Sequence, residues 1–192
     1  LIGVYFAAFR KYKLSPGEVG HVGLFAPSKA QGAILKRYVS GILASSPMLA
    51  NMIESETANE IRLKNRISIS VIAGNYRLTR GYTMICACID EVAHFSDGGE
   101  LTDTELIRSI IPSLHSSSGS GPLIPLSSPF AQKGELYKAF RDHFGVDDDP
   151  TMIWKAASSV MNPLLDSEMI RQAYIDDPIA AASEWGAEFR EE

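Results

Sequence analysis

The chain has 192 residues, of which 45% are hydrophobic and 21% are charged; this length and composition predict a single soluble globular domain. The formal net charge of -5 argues against binding nucleic acid through an overall positive charge, so any such contact must be local or made by a part that is absent from this sequence. No run approaches the roughly 18 apolar residues of a membrane span. The apolar residues 1–9 are followed by basic residues and by no small-residue cleavage site, so they are predicted to form a core helix and not a signal peptide.

The first part of the chain reads as helix, strand and helix. Residues 1–12 predict a helix that Ser15-Pro16-Gly17 ends. Residues 21–26 form a short apolar run stopped by Pro27, which indicates a buried strand. Ser28 is a good N-cap for a helix reaching about Ala44, and a second short helix is predicted over 48–54.

The spacing of apolar residues then changes from a helical period to every second residue, as in a β-strand. Residues 61–64 and 67–71 alternate apolar with polar side chains, and a turn lies between them, so a β-hairpin with one buried face is predicted. Residues 83–89 are apolar on both faces, as in a central parallel strand. Cys86 and Cys88 lie two residues apart in this run, so both should point to one face as free, buried thiols.

The remaining elements continue the alternation. They are a helix over 104–114, a flexible loop over 116–121, strands over 123–126 and 152–157, and helices over 134–144, 166–175 and 178–189. Alternating strands and helices predict an α/β fold with a mostly parallel central sheet flanked by helices and a β-hairpin at its edge. No repeat or second domain is evident, so residues 1–192 are expected to form one domain.

The strongest chemical signal is Asp90-Glu91, directly after the apolar strand. Adjacent residues at a strand end point to opposite sides, so two carboxylates there can serve different partners. One can hold hydrated Mg²⁺ at a nucleotide's phosphates, and the other can orient and polarise an attacking water. The alternative is a strand that simply ends in polar residues.

Two further segments place polar groups at strand ends. Ser127 and Ser128 follow the next strand in sequence, where hydroxyls could contact a γ-phosphate or the attacking water. Gln31 lies in the first turn of the helix after the strand at 21–26, in a type of segment that many nucleic-acid motors place beside the ATP-bearing strand, so it is a weak candidate for nucleotide binding. By themselves, the serines fit an ordinary Ser-Pro turn, and the Gln31 segment is a weak motif.

Arg77 and Arg80 lie in a loop with Gly81, where they could contact a phosphate of nucleotide or DNA, or could simply be solvated. Asp147-Asp148-Asp149 precede a proline and read as a solvated acidic turn. The four histidines, His21, His94, His115 and His143, have no metal-ligand spacing.

The order and spacing of these signals resemble the large terminase subunits of tailed bacteriophages or prophages, over nearly the whole chain. The resemblance runs through Ala26-Pro27 with Gln31, Arg80-Gly81, Asp90-Glu91 with His94-Phe95, Ser127-Ser128-Pro129 with Gly134 and Tyr137, Asn162-Pro163, and Glu184 with Glu188-Phe189. It implies a P-loop NTPase fold of the catalytic-glutamate type. It also implies a motor domain that hydrolyses ATP to drive double-stranded DNA into a procapsid.

By that resemblance, Asp90 is the Walker B aspartate that holds Mg²⁺ through water, and Glu91 is the catalytic glutamate. Ser127 and Ser128 form the motif that couples the ATP state to movement, and Arg77 and Arg80 are candidates for phosphate or subunit-boundary contacts. The implied cofactors are ATP and Mg²⁺. The implied partners are double-stranded DNA, a portal protein, a small terminase subunit and further copies in a ring, in the cytoplasm of an infected or lysogenic bacterium, without membrane contact.

One departure from the family is decisive for activity. No G-x-x-x-x-G-K-[ST] segment or near variant occurs, so the Walker A loop is absent and the chain is expected to be truncated before Leu1, as well as before a nuclease domain. This piece alone is therefore expected to be inactive. Two alternatives stay open: another nucleic-acid-dependent P-loop motor, such as a helicase, although His94 comes one residue too late for Asp-Glu-x-His; or an inactive relative that only binds partners.

Overall fold

The computed structural model describes residues 1–73, 81–95, 102–116 and 119–191. The chain divides into two compact units, which consist of Leu1–Val92 with Glu105–Leu126, and of Ala93–Thr104 with Ser127–Glu192. The prediction that residues 1–192 form one domain stays a prediction. None of the helices in the described part of the chain is long and apolar enough to cross a bilayer.

Helices and strands alternate along most of the described chain. The helices are α1 (Ile2–Phe9), α2 (Lys29–Ala44), α3 (Pro47–Ala50), α4 (Asp103–Leu114), α5 (Gly134–His143), α6 (Ser158–Met161), α7 (Ser167–Asp176) and α8 (Pro178–Glu184). The strands are β1 (Gly20–Ala26), β2 (Ile53–Glu56), β3 (Glu60–Leu63), β4 (Ile67–Ala73), β5 (Thr83–Ile89), β6 (His115–Ser116), β7 (Gly119–Ser120) and β8 (Leu123–Pro125).

A mixed, mostly parallel sheet forms the centre of the first unit, in the order β2-β3-β4-β1-β5-β8. Strand β1 pairs in parallel with β4 and with β5, and β5 pairs in parallel with β8. Strands β2, β3 and β4 pair antiparallel and carry the predicted hairpin to the sheet edge. The predicted fold class is therefore confirmed.

The core forms where α1 and α2 pack against β1 and β4. Its members share near-complete burial and include Val4, Ala7, Val22, Leu43, Ile61, Leu63, Ile67 and Ile69. Small residues let the helices approach closely: a Cβ added at Gly3 would lie 3.2 Å from Val22, and one at Gly32 would lie 2.9 Å from Val71. Alternation along β4 puts Ile67 and Ile69 with this core and leaves Ser68 and Ser70 for the opposite face.

Five predicted elements differ from the structure, and two of these are the helices expected over 1–12 and 178–189, which end early at Phe9 and Glu184. The helix expected over 48–54 ends at Ala50, because Ile53 and its neighbours pair with β3 instead. The loop expected over 116–121 contains a short hairpin of β6 and β7. The strand expected over 152–157 does not form: the side chains of Met152 and Trp154 are 85% and 77% exposed, so the apolar composition that suggested a buried strand does not lead to burial.

In the second unit, Asp103 ties two helix starts together. Its carboxylate oxygens accept hydrogen bonds from the backbone N–H of Thr104 and of Glu135, each at 2.7 Å. Gly134, which precedes Glu135, has φ +79°, and a Cβ there would lie 2.4 Å from Asp103 Oδ2. The tight approach therefore requires glycine at the start of α5.

An aromatic cluster completes this unit. The rings of Tyr137 and Phe140 lie 5.1 and 5.2 Å from the ring of Phe189, and the guanidinium of Arg190 lies 5.2 Å over Phe130. The backbone of Arg190 also hydrogen-bonds the carbonyl of Phe130 at 2.8 Å. These contacts fix the chain's last described segment against α5 and the segment before it.

A polar cluster lies on the face of β1 and β4 away from α1. His21 Nδ1 is 3.3 Å from the Ser70 hydroxyl, which is 3.4 Å from the Ser68 hydroxyl, and Ser68 donates to Glu60 at 2.5 Å. The Tyr82 ring stacks on the His21 ring at 4.1 Å. Burial lowers the pKa of His21; Glu60 opposes this effect and Arg62 adds to it.

We expect this histidine to make the protein less stable in mild acid. A base whose pKa is lower in the folded state binds its proton more readily when unfolded, so the free energy of unfolding should fall as the pH drops below about 6.5. His21→Gln should lose less stability than the parent between pH 7 and pH 5, measured by urea unfolding with far-UV circular dichroism. The control is His115→Gln, at an exposed histidine. Equal losses in His21→Gln and the parent would show that His21 is not responsible.

Candidate functional site

The candidate site begins where β5 ends. Strand β5 is buried along most of its length and is followed at once by Asp90 and Glu91, both half-buried. The Asp90 N–H donates to the carbonyl of Phe25 at 2.9 Å, which extends the pairing with β1 one residue beyond the strand. The Asp90 backbone is therefore fixed by the sheet.

Glu91 has a backbone conformation that its residue type disfavours. Its φ is +50°, in the left-handed region, where a side chain with a Cβ costs roughly 1–2 kcal/mol relative to ordinary conformations. The turn is held in place from the following residue, because the buried Val92 donates its N–H to the carbonyl of Leu126 at 3.0 Å. Such strain is concentrated at functional sites, so Glu91 is the candidate residue with the clearest structural mark.

The carboxyl ends of three parallel strands meet at this edge. Leu126, the residue after β8, donates its N–H to the carbonyl of Ile89 at 2.8 Å, so β8 ends beside β5 just as β1 does. In α/β sheets, ligands bind beyond the carboxyl ends of parallel strands. Asp90 and Glu91 occupy that position in the first unit.

Gln31 also follows a carboxyl end of this sheet, after β1. Its N–H donates to the Ser28 hydroxyl at 3.2 Å, and the same hydroxyl donates to Gln31 Oε1 at 2.9 Å. Ser28 is the N-cap of α2, so the Gln31 side chain takes part in capping that helix. A role of Gln31 in nucleotide binding stays a prediction.

Ser127 and Ser128 belong to the second unit and are half-buried. The Ser127 hydroxyl accepts a hydrogen bond from the N–H of Ala93 at 3.4 Å. Ala93 lies in the short 3₁₀ helix Val92–His94, which directly follows Glu91 in the chain. The Ser127 hydroxyl is thus bonded to the segment that comes after the candidate carboxylates.

The other predicted site residues have varied outcomes. Arg77 and Arg80 lie outside the described residues. Cys86 and Cys88 share one face, as predicted, with their sulfur atoms 3.9 Å apart; their mutual hydrogen bond raises the pKa of Cys86 and lowers that of Cys88. Both thiols are free; Cys86 is buried as predicted, whereas Cys88 is only half-buried.

The acidic turn at 147–149 is more ordered than its sequence suggested. Asp149 pairs with His143 Nδ1 at 2.8 Å and accepts the N–H of Thr151 at 2.6 Å, and these bonds, the first above all, lower the pKa of its carboxyl group. The pair joins the end of α5 to the turn that follows it. Among the described residues, no group of three or more His, Cys, Asp or Glu side chains could hold a metal ion.

The second unit also contains a cavity of about 330 Å³ that sequence reasoning missed. It is lined by Ala93, Thr102, Asp103, Thr104, Phe130, Ala131, Lys133 and Gly134. Both carboxylate oxygens of Asp103 accept hydrogen bonds at helix starts, so this lining residue serves the fold.

The positive φ of Glu91 predicts a stability difference that separates the effect of backbone strain from the effect of losing the carboxylate. Glu91→Gly and Glu91→Ala both remove the carboxylate, but only alanine must keep a Cβ at φ +50°. We expect the glycine variant to be more stable than the alanine variant by about 1 kcal/mol, measured by urea unfolding. The control pair is Glu168→Gly and Glu168→Ala in α7, where the order should reverse by up to about 1 kcal/mol. Alanine being the more stable at position 91 as well would mean that Glu91 is not strained.

Solved structures of phage terminases are similar to this chain. The large terminase ATPase domain of Thermus phage P74-26 is 18% identical, with a TM-score of 0.69 over 97% of this chain and 80% of that one. The large terminase of bacteriophage HK97 is 18% identical, with a TM-score of 0.61 over 89% of this chain and 39% of that one. No family model and no curated protein matches the sequence. The predicted resemblance is therefore confirmed at the level of structure: this chain has the fold of phage large-terminase ATPase domains.

Proposed function

We propose that the chain is the ATP-hydrolysing motor domain of a viral DNA-packaging terminase, which drives double-stranded DNA into a procapsid. The observation that carries this proposal is the pair Asp90-Glu91, held at the carboxyl edge of a terminase-like sheet with Glu91 in a strained conformation. Adjacent carboxylates on a fixed backbone suit phosphoryl transfer, where catalysis depends mainly on positioning and electrostatics.

Asp90 is the residue proposed to hold Mg²⁺. Magnesium is usually bound by one or two carboxylates together with waters and substrate phosphates, rather than by a cage of protein ligands. The half-buried Asp90 carboxylate would supply one such ligand. Bound with ATP, the metal would neutralise charge on the phosphates.

Glu91 is the residue proposed to orient the attacking water and to accept its proton. Its left-handed φ turns the chain between Asp90 and Val92, directly after the end of β5. A positioned carboxylate base contributes roughly 10²–10⁴-fold to a reaction of this kind.

The phosphate-binding loop is proposed to come from sequence outside the 192 residues, because no Walker A segment occurs within them. One structural observation is consistent with this. Strand β8 stands last in the sheet order and pairs only with β5 among the described strands, so its other edge can accept another strand. A nuclease domain is likewise proposed to follow the chain.

The remaining roles are proposed from the resemblance. Ser127 and Ser128 would couple the ATP state to movement, and the Ser127–Ala93 hydrogen bond is a direct link to the segment after Glu91. Arg77 and Arg80 would contact phosphate or a neighbouring subunit. The partners would be double-stranded DNA, a portal protein, a small terminase subunit and further copies in a ring, in the cytoplasm of the bacterial host.

The first test concerns the chain by itself. Without a phosphate-binding loop most contacts to ATP are lost, so the purified 192-residue chain should release phosphate far below about 1 per second, the low end of typical enzyme rates. The same protein extended upstream to include a Walker A loop should hydrolyse ATP in that range or faster. Equal rates for the two proteins would contradict the missing-loop proposal. An extended protein that binds partners but never hydrolyses ATP would favour the inactive binding module.

The second test, on the extended protein, separates binding from chemistry. Glu91→Gln keeps the shape of the side chain but removes its charge, so ATP affinity should be nearly unchanged while hydrolysis slows by roughly 10²-fold or more. Asp90→Asn should instead weaken Mg²⁺-dependent ATP binding. The measurements are ATP affinity and single-turnover hydrolysis for both variants. If Glu91→Gln hydrolyses ATP at the parent rate, Glu91 is not the base, and Asp90-Glu91 is only a polar strand end.

A further inference from the structure

Two basic segments of the first unit lie side by side where the parallel strands begin. One is residues 10–13, which follow α1; the other is the turn at residues 64–66, which joins β3 to β4. We define the cationic surface as their basic side chains, Arg10, Lys11, Lys13, Lys64 and Arg66, all of which are exposed.

Hydrogen bonds hold the two segments in one arrangement. Asn65 Nδ2 donates to the carbonyl of Ala7 at 2.8 Å, and Arg66 Nη1 donates to the carbonyl of Ser15 at 3.1 Å. The carbonyl of Arg66 in turn accepts the N–H of Gly20 at 3.0 Å, which ties the turn to the start of β1. The backbone of the two segments is therefore held in place before any partner binds, which lowers the entropic cost of binding.

Within residues 10–15 the side chains alternate between inside and outside. Tyr12 donates its hydroxyl to the carbonyl of Phe6 at 3.0 Å, and both Tyr12 and Leu14 pack against the core. Lys11 and Lys13 are exposed on either side of Tyr12. The inward residues thus anchor the segment, and the two lysines face solvent.

The cationic surface concentrates positive charge in a chain whose net charge is negative. Residues 1–17 and 61–73 contain six Lys or Arg and no Asp or Glu, while the rest of the chain contains 12 Lys or Arg against 23 Asp or Glu. Arg62, the sixth cation, is 3.6 Å from Glu60. None of the five residues of the cationic surface forms an ion pair with a carboxylate of the described chain.

Glu18 is the carboxylate nearest in sequence to the first basic segment. It accepts hydrogen bonds from the N–H of Ser15 at 2.7 Å and from the hydroxyl of Thr83 at 2.5 Å. These bonds hold Glu18 against the backbone of the loop and against β5. The local field of the cationic surface is therefore positive although the protein is acidic.

We propose that the cationic surface binds the backbone phosphates of double-stranded DNA. Lysine is depleted in protein–protein interfaces but is a common contact to phosphate, so the three lysines of this surface favour DNA over an acidic protein. The inference rests on the proposed function for the choice of duplex DNA, and it assigns the binding to a surface that the nucleotide site does not include.

The cationic surface and Asp90-Glu91 lie at opposite ends of the parallel strands. Strand β1 spans seven residues from Gly20 to Ala26, or about 23 Å at ~3.3 Å per residue. DNA bound at the start of the strands leaves their carboxyl ends accessible to nucleotide. Binding at this surface therefore requires neither ATP nor the phosphate-binding loop.

The test measures binding of a 30-bp fluorescent duplex to the 192-residue chain by anisotropy, without nucleotide, at several salt concentrations. Each phosphate contact contributes about −0.9 to the slope of log affinity against log salt. The variant Lys11→Gln/Lys13→Gln/Lys64→Gln should bind at least about tenfold more weakly at ~0.1 M salt, with a slope smaller by about 2 to 3.

The matched control, Lys138→Gln/Lys155→Gln/Arg171→Gln, removes three exposed charges from the second unit and should retain the affinity and slope of the parent. Equal losses in the two variants, or no loss in the first, overturn the proposal. Sedimentation velocity adds a further criterion: a parent that self-associates through these lysines, with DNA affinity unchanged by their removal, identifies a protein interface instead. ATP hydrolysis is not measured, so a failure here leaves the ATPase proposal to its own tests.

Discussion

The backbone around the end of β5 is hydrogen-bonded on both sides, beyond the last residue of the strand itself. Phe25 accepts from Asp90, Ile89 accepts from the residue after β8, and Val92 donates back to that same residue. Asp90 and Glu91 are therefore enclosed between fixed points rather than placed on a free loop. The left-handed φ of Glu91 can persist only because these bonds over-determine the turn.

Most of the central sheet was predictable because burial leaves a periodic trace in sequence. The uninterrupted apolar run of β5 and the alternation in β3 and β4 gave the right elements and the right classes of pairing. The errors occurred where apolar composition did not lead to burial, as at Met152 and Trp154, or where pairing depended on a distant segment. Strand β2 has one apolar residue, Ile53, which pairs with Leu63 of β3. At the other end of β2, the carboxylate of Glu56 accepts hydrogen bonds from Lys36 and Ser40 of α2.

The site was predictable in position but not in conformation. The site could be located because Asp90-Glu91 directly follow an apolar strand. The positive φ of Glu91, in contrast, depends on contacts with Leu126 that no local sequence pattern encodes. Some residues that carried the resemblance have structural explanations: Gly134 makes room for Asp103, Tyr137 packs on Phe189, and Gln31 bonds the hydroxyl of Ser28, the N-cap of α2. A shared motif can thus record a shared fold as much as a shared reaction.

The positions of Trp154 and Trp185 determine which part of the protein its tryptophan fluorescence reports on. The chain has two tryptophans, Trp154 and Trp185, and both belong to the second unit. Intrinsic tryptophan emission therefore reports on that unit alone and carries no direct signal from the tryptophan-free sheet that holds Asp90 and Glu91. Far-UV circular dichroism, by contrast, includes the backbone of the sheet. A difference between the melting curves measured by tryptophan fluorescence and by circular dichroism therefore identifies unfolding of one unit without the other.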